Sequence, residues 1–261
     1  MLIGVMLGQG LAHAKSCDEQ FLNFQDSRLL MAKLPQPGSR AYRALSKEIE
    51  AQLEKTKSYA ILDLSKIFGL DFARLWSASL PENSASQFMQ GNILFRENNK
   101  FASRDAFPSQ SASLEAIQKW FRELIQSSLN RTLMKSGNLS RADWLRLGEG
   151  YANLRVGLAS QRSVDFDAWH LDGGGVSVTL AFKGPGTEVL GGVPLELAKS
   201  ATGVGDQWNS ICSGCKPFVV PEGHALILFG TSANGQDAKL SPTIHRTPVY
   251  SGARSLLVLR Y

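Results

Sequence analysis

The residues best suited to chemistry cluster around Trp169-His170-Leu171-Asp172. In an extended chain, residues two apart share a face, so an imidazole and a carboxylate are aimed at one point. A third donor stands in Pro242-Thr243-Ile244-His245-Arg246, at the start of another apolar run. Two imidazoles and one carboxylate suit a non-haem Fe(II) ion and leave three coordination positions open. His-x-Asp also arises by chance, and a lone histidine beside a strand is ordinarily a packed or surface residue. The chain has only 4 histidines, His13, His170, His224 and His245, and two of them stand beside β-like runs where ligands are needed. Arg254 follows His245 by nine residues, at the head of Ser255-Leu256-Leu257-Val258-Leu259. On one flat strand that odd interval puts it on the opposite face, but a turn at Ser251-Gly252 can reset the phase. Parity therefore decides nothing.

His-x-Asp, a distant His and then an Arg about one strand later resembles the Fe(II)/2-oxoglutarate-dependent oxygenases. The context is similar as well. Ser177-Val178-Thr179-Leu180-Ala181-Phe182 and Gly184-Pro185-Gly186-Thr187-Glu188 follow the first ligands, and Pro221-Glu222-Gly223 leads into Ala225–Gly230. The Gly-Pro-Gly-Thr stretch and the closing His-Arg-x-Pro resemble a little-described bacterial branch of that family. The likeness covers roughly residues 150 to 261. It implies an α+β protein with a double-stranded β-helix (jelly-roll) core and helices outside it. It implies His170, Asp172 and His245 as iron ligands and Arg254 as the partner of the distal carboxylate of 2-oxoglutarate. The implied reaction hydroxylates a C–H bond and releases succinate and carbon dioxide. Two other readings stand beside it: a non-catalytic cupin-like protein that binds a metal or small acid, and an exported β-sandwich module whose histidines are incidental. Nothing in the sequence marks the substrate, whether small molecule or peptide.

These residues need a frame to hold them. Ser39 is placed to cap a helix to about Lys57, with Ala44, Leu45, Ile49 and Leu53 on one face. Tyr59-Ala60-Ile61-Leu62 reads as a short strand, and Asp71 to Ser79 as another short helix. Residues 84–111 are rich in Gln, Asn and Ser and read mostly as a surface connection or a lid, with Asn92–Arg96 a strand inside it. Ser113 opens a helix lined by Ile117, Phe121, Leu124 and Ile125 that stops near Gly137. Leu139 to Gly150 reads as a further short helix.

After Gly150 the period changes to two. Leu154, Val156 and Leu158 alternate with Tyr151, Asn153 and Arg155, which begins the β-rich half. Val176, Val178, Leu180 and Phe182 alternate with Ser177, Thr179 and Ala181. That pattern predicts a half-buried strand whose apolar parity matches His170 and Asp172. Thr187–Leu190 continues as a strand, and Phe218-Val219-Val220 and Ala225–Phe229 read as buried strands. Gly191 to Cys215 is a long Gly-, Ser- and Ala-rich insertion. Tyr151 and Trp208 are candidate substrate contacts, against the plainer readings of an edge position and a packed ring. The expected organisation is 15–149 as a mainly helical part packed on a 150–261 core, the two forming one integrated domain.

Bulk properties constrain less. The chain has 261 residues, 43% hydrophobic and 20% charged, and a net charge of +5. A sizeable core needs no disulfide framework or structural metal. Lys and Arg are scattered, so nucleic acid is not implied. Residues 1–14 are apolar and end in Ala-His-Ala, like a secretory signal without its basic start. Export is the expectation there, against an N-terminal segment that packs on the domain. No stretch reaches about 18 apolar residues, so no membrane anchor is expected. Cys212-Ser213-Gly214-Cys215 has no second pair with which to build a zinc site. It reads as a local disulfide or a pair of reduced loop thiols.

Overall fold

The computed structural model describes residues 34–69, 85–89, 92–97, 100–102, 108–135, 151–158, 168–173, 175–193, 212, 214–231, 240–248 and 253–261. The expected helices over 71–79 and 139–150, Trp208, the N-terminal segment and most of the 191–215 insertion lie outside them.

Helix α1 (Arg40–Thr56) begins where Ser39 accepts a hydrogen bond from the Tyr42 amide at 3.1 Å, and ends where Lys57 turns left-handed. Such a cap contributes about 1 kcal/mol. Leu45, Ile49 and Leu53 are buried, at about 1.5–3 kcal/mol each. Packing therefore outweighs capping in holding this helix in place. Ala44, expected on the apolar face, is exposed, and Tyr42 is buried on the packed side instead. Strand β1 (Tyr59–Asp63) runs into a short helix α2 (Leu64–Phe68), capped by Asp63. Helix α3 (Pro108–Lys135) starts five residues ahead of the expected Ser113.

The strands form two antiparallel sheets. The larger contains β1, β2 (Ala85–Met89), β3 (Asn92–Glu97), β4 (Lys100–Ala102), β5 (Tyr151–Leu158), β6 (Val176–Lys183), β9 (His224–Phe229) and β11 (Ala253–Arg260), in the order β1-β9-β6-β11-β5-β2-β3-β4. The smaller contains β7 (Glu188–Gly191), β8 (Lys216–Val219) and β10 (His245–Arg246), in the order β10-β7-β8. The polar 84–111 segment, read mostly as a connection, thus supplies three strands of the large sheet.

The architecture is α+β. One face of the large sheet carries Val176, Val178, Leu180, Phe182, Ala225, Ile227, Phe229, Leu257 and Leu259, which pack with residues of α1 and α3 into the main core. The other face meets the small sheet through Leu226 and Leu228 against Val189 and Val220. This corrects the reading of β6 as half-buried. The strand is covered on both sides, and its apolar parity faces the helices while Ser177 and Thr179 turn to the opposite face. Strand β8 departs from expectation in the other sense. It is an edge strand, and Val219 is 41% exposed.

Candidate metal centre

His170 and His245 are brought together by backbone pairing. The His170 amide donates to the His245 carbonyl at 2.9 Å, and the reverse bond is 3.1 Å. The imidazole centroids are 4.3 Å apart. Asp172 follows two residues after His170. The Thr231 amide donates to its carbonyl at 2.9 Å, which ties this turn to the end of β9. The Asp172 Oδ2 lies 3.8 Å from His245 Nε2. One ligand atom from each of the three residues lies within 4.8 Å of the others, and all three side chains are buried.

Hydrogen bonds set the ring orientations. His170 Nδ1 donates to the Ala168 carbonyl at 3.0 Å, and His245 Nδ1 to the Thr243 carbonyl at 2.9 Å. A carbonyl only accepts, so in the neutral rings Nδ1 holds the proton and Nε2 keeps its lone pair for a metal. Burial pushes the His245 pKa down to about 4, against the opposing pull of the Asp172 carboxylate. This ring therefore stays neutral through the physiological range, as a ligand must. Asp172 has two further partners. Ser177 Oγ donates to Oδ2 at 3.3 Å, and Arg260 Nη2 donates to Oδ1 at 3.3 Å.

The pocket around this cluster, about 470 Å³ with its open mouth included, is also lined by Thr179, Thr187, Thr247, Leu228, Leu256 and Val258. Thr187 Oγ1 donates to Thr179 Oγ1 at 3.4 Å. Behind the histidines the fully buried Trp169 packs with Leu190 and Ile244, and partly buried Cys215 joins them. The Arg246 guanidinium lies 4.3 Å above the Trp169 ring and donates to Glu188 at 2.6 Å. Cys215 and Cys212 form a disulfide, one of the two forms expected.

Arg254 lies in β11 with its backbone opposite Gly157, and Tyr151 lies in β5 opposite Arg260. The side chains of both are outside the described residues. Strands β10 and β11 belong to different sheets, so counting parity from His245 to Arg254 along one strand does not apply. Sequence reasoning missed Arg260, Ser177, Thr179 and Thr187. The signal available for Arg260 was a second arginine on the strand that carries Arg254.

No family model and no curated protein matches the chain. Solved structures similar to it include a protein from Caulobacter crescentus provisionally assigned to the 2OG-Fe(II) oxygenase family, at 14% identity and a TM-score of 0.47, covering 84% of this chain and 82% of that one. Another is a full-length Neurospora crassa protein in complex with alpha-KG and thymine, at 12% identity and a TM-score of 0.43, covering 97% and 81%. A third is HygX from Streptomyces hygroscopicus with nickel, 2-oxoglutarate and hygromycin B bound, at 14% identity and a TM-score of 0.37, covering 82% and 85%.

Proposed function

We propose that this protein is an Fe(II)- and 2-oxoglutarate-dependent dioxygenase that hydroxylates an organic substrate. One observation carries the reading: two buried imidazoles, each turned by a carbonyl to offer Nε2, converge with one carboxylate at a pocket between two antiparallel sheets. From β6 to β11 the chain passes back and forth between the sheets, with β6 in the large one, β7 and β8 in the small one, β9 in the large one, β10 in the small one and β11 in the large one. That order, with the His170–His245 bridge extending the small sheet, is the one we read as a double-stranded β-helix.

The donor set fits the metal. Nitrogen and oxygen donors in a two-histidine, one-carboxylate set favour a divalent ion with open positions. His170 Nε2, His245 Nε2 and an Asp172 carboxylate oxygen would hold Fe(II), which when bound supplies the redox chemistry that activates dioxygen. The protein contributes the rest. The carbonyls of Ala168 and Thr243 fix the imidazole orientations. Leu228, Leu256 and Val258 give the pocket an apolar lining that limits water in it. Arg254 is assigned the distal carboxylate of 2-oxoglutarate. It heads β11, the strand that also supplies Leu256, Val258 and Arg260 to the pocket, and a planar guanidinium suits a carboxylate. The Thr179 and Thr247 hydroxyls are further polar groups lining the pocket, and Thr187 already donates to Thr179. Substrate hydroxylation is coupled to release of succinate and carbon dioxide. Tyr151 and Trp208 remain candidate substrate contacts. We assign residues 150–261 as the catalytic core, and 15–149 as part of the same domain, contributing helices packed on the core and four further strands of the large sheet.

The test is succinate formation from 2-oxoglutarate by the Fe(II)-loaded chain under oxygen, with and without a panel of metabolites and peptides. The expected result is slow turnover by the parent and none by Asp172→Ala. A parent chain that binds one divalent ion but never forms succinate would shift the assignment to a non-catalytic, cupin-like binder.

A further inference from the structure

Arg260 is a cationic side chain set against one of the proposed metal ligands, Asp172. Its Nη2 donates to Asp172 Oδ1 at 3.3 Å. The other carboxylate oxygen, Oδ2, is the one that faces His245 Nε2 at 3.8 Å and receives the Ser177 hydroxyl at 3.3 Å. The two oxygens of Asp172 therefore look in different directions, one toward the His245 imidazole and one toward a guanidinium. We propose that Arg260 is a positioning residue for Asp172. By holding Oδ1, it makes Asp172 a one-oxygen ligand and preserves the open positions that a co-substrate and oxygen require. This inference rests on the metal reading of the site.

The arginine is itself held firmly. In β11 its backbone lies between Tyr151 of β5 and Ser177 of β6, so it occupies an interior strand. Tyr261, the next residue, exchanges backbone hydrogen bonds with Val176 at 2.8 and 3.1 Å. Its hydroxyl donates to the Gln118 carbonyl of α3 at 2.6 Å. Gly175 brings the backbone close enough that an added Cβ would stand 2.7 Å from the Tyr261 carbonyl oxygen. The base of the Arg260 side chain is thus fixed from both sides and from the adjacent residue. For Asp172 to bind an ion through both oxygens, Oδ1 would have to turn away from this anchored guanidinium. The same metal ligand is oriented from two sides, by a hydroxyl on one oxygen and a cation on the other. Partners of this kind set the direction of a metal-binding group.

The experiment uses the full chain and Co(II), whose visible absorption bands respond to coordination number. The parent is expected to bind one equivalent, and Asp172→Ala none. Arg260→Met frees Oδ1 and is expected to weaken Co(II) binding about tenfold or more and to change the visible bands. Only one nitrogen–oxygen contact joins Arg260 to Asp172 among the described hydrogen bonds, so Arg260→Lys, which keeps the positive charge, should recover most of both signals. If Arg260→Met does not fold, Arg260→Gln carries the same comparison with the same expected weakening. Unchanged bands and an affinity within about twofold of the parent, where a lost orienting partner should cost tenfold or more, overturn the inference while leaving the metal reading intact. A parent chain that binds no Co(II) overturns the metal reading, and this inference with it.

Discussion

Asp172 and Arg254 are assigned separable tasks, one toward the ion and one toward the co-substrate, so their variants should fail differently. Arg254→Ala is expected to bind Mn(II) or Co(II) like the parent and to bind 2-oxoglutarate at least about tenfold more weakly, a charge-assisted carboxylate bond being worth about 1.5–3 kcal/mol. Calorimetric titration of 2-oxoglutarate into the metal-loaded chain measures this, and equal affinities would remove Arg254 from the site. At this scale much of the centre was legible in the sequence. His170, Asp172 and His245 were identified from residue type, spacing and strand context, and the structure gathers all three. Ser177 and Thr179 were not, because strand alternation identifies two faces without saying which one is the interior of a site. On β6 the apolar residues face the helices, so the hydroxyls were the informative ones.

Elements were legible where apolar contrast along the chain is strong. Helix α1 and strands β5, β6 and β9 show it, and all lie close to their expected bounds. The hairpins of β2, β3 and β4 show it poorly, since runs of Gln, Asn and Ser carry little apolar contrast. Nor could a period reveal how α1 and α3 are joined. Glu50, buried on α1, accepts a hydrogen bond from Arg131 Nε of α3 at 2.6 Å. Arg131 also donates to Ser46, whose hydroxyl is 2.6 Å from that of Ser128. Removing the cation takes the counter-charge from a buried carboxylate, which costs more than the intact pair contributes. The Arg131 side chain is 46% exposed, so water compensates part of the loss, and Arg131→Met is expected to destabilise by about 1–3 kcal/mol. Adding Glu50→Gln should return part of it. Urea unfolding midpoints of Arg131→Met, Glu50→Gln and the double variant decide this, and additive effects would show that the two groups are not coupled.

Across the whole molecule Tyr261 joins the parts. It pairs with Val176 at the start of β6 and reaches the Gln118 carbonyl of α3, while its chain neighbour Arg260 meets Asp172. The outer helix, the large sheet and the candidate metal centre thus share one anchor. The Tyr261 ring packs against the main core, and burial raises its phenol well above the ordinary 10, with Arg122 opposing. The sign of the linkage follows directly. The folded protein holds this proton more tightly than the unfolded chain. The stabilising contribution is therefore complete below about pH 10 and is lost as pH rises from there toward the folded value. Tyr261→Phe deletes the titrating group along with one hydrogen bond of about 1 kcal/mol. It should be slightly less stable than the parent at pH 8 but fall less steeply above pH 10. Thermal unfolding of both chains between pH 8 and about 11.5 makes the comparison. Curves that stay parallel across that range would mean that the phenol does not couple its proton to the fold. Curves that converge as pH rises would tie alkaline stability to the residue that also anchors Arg260.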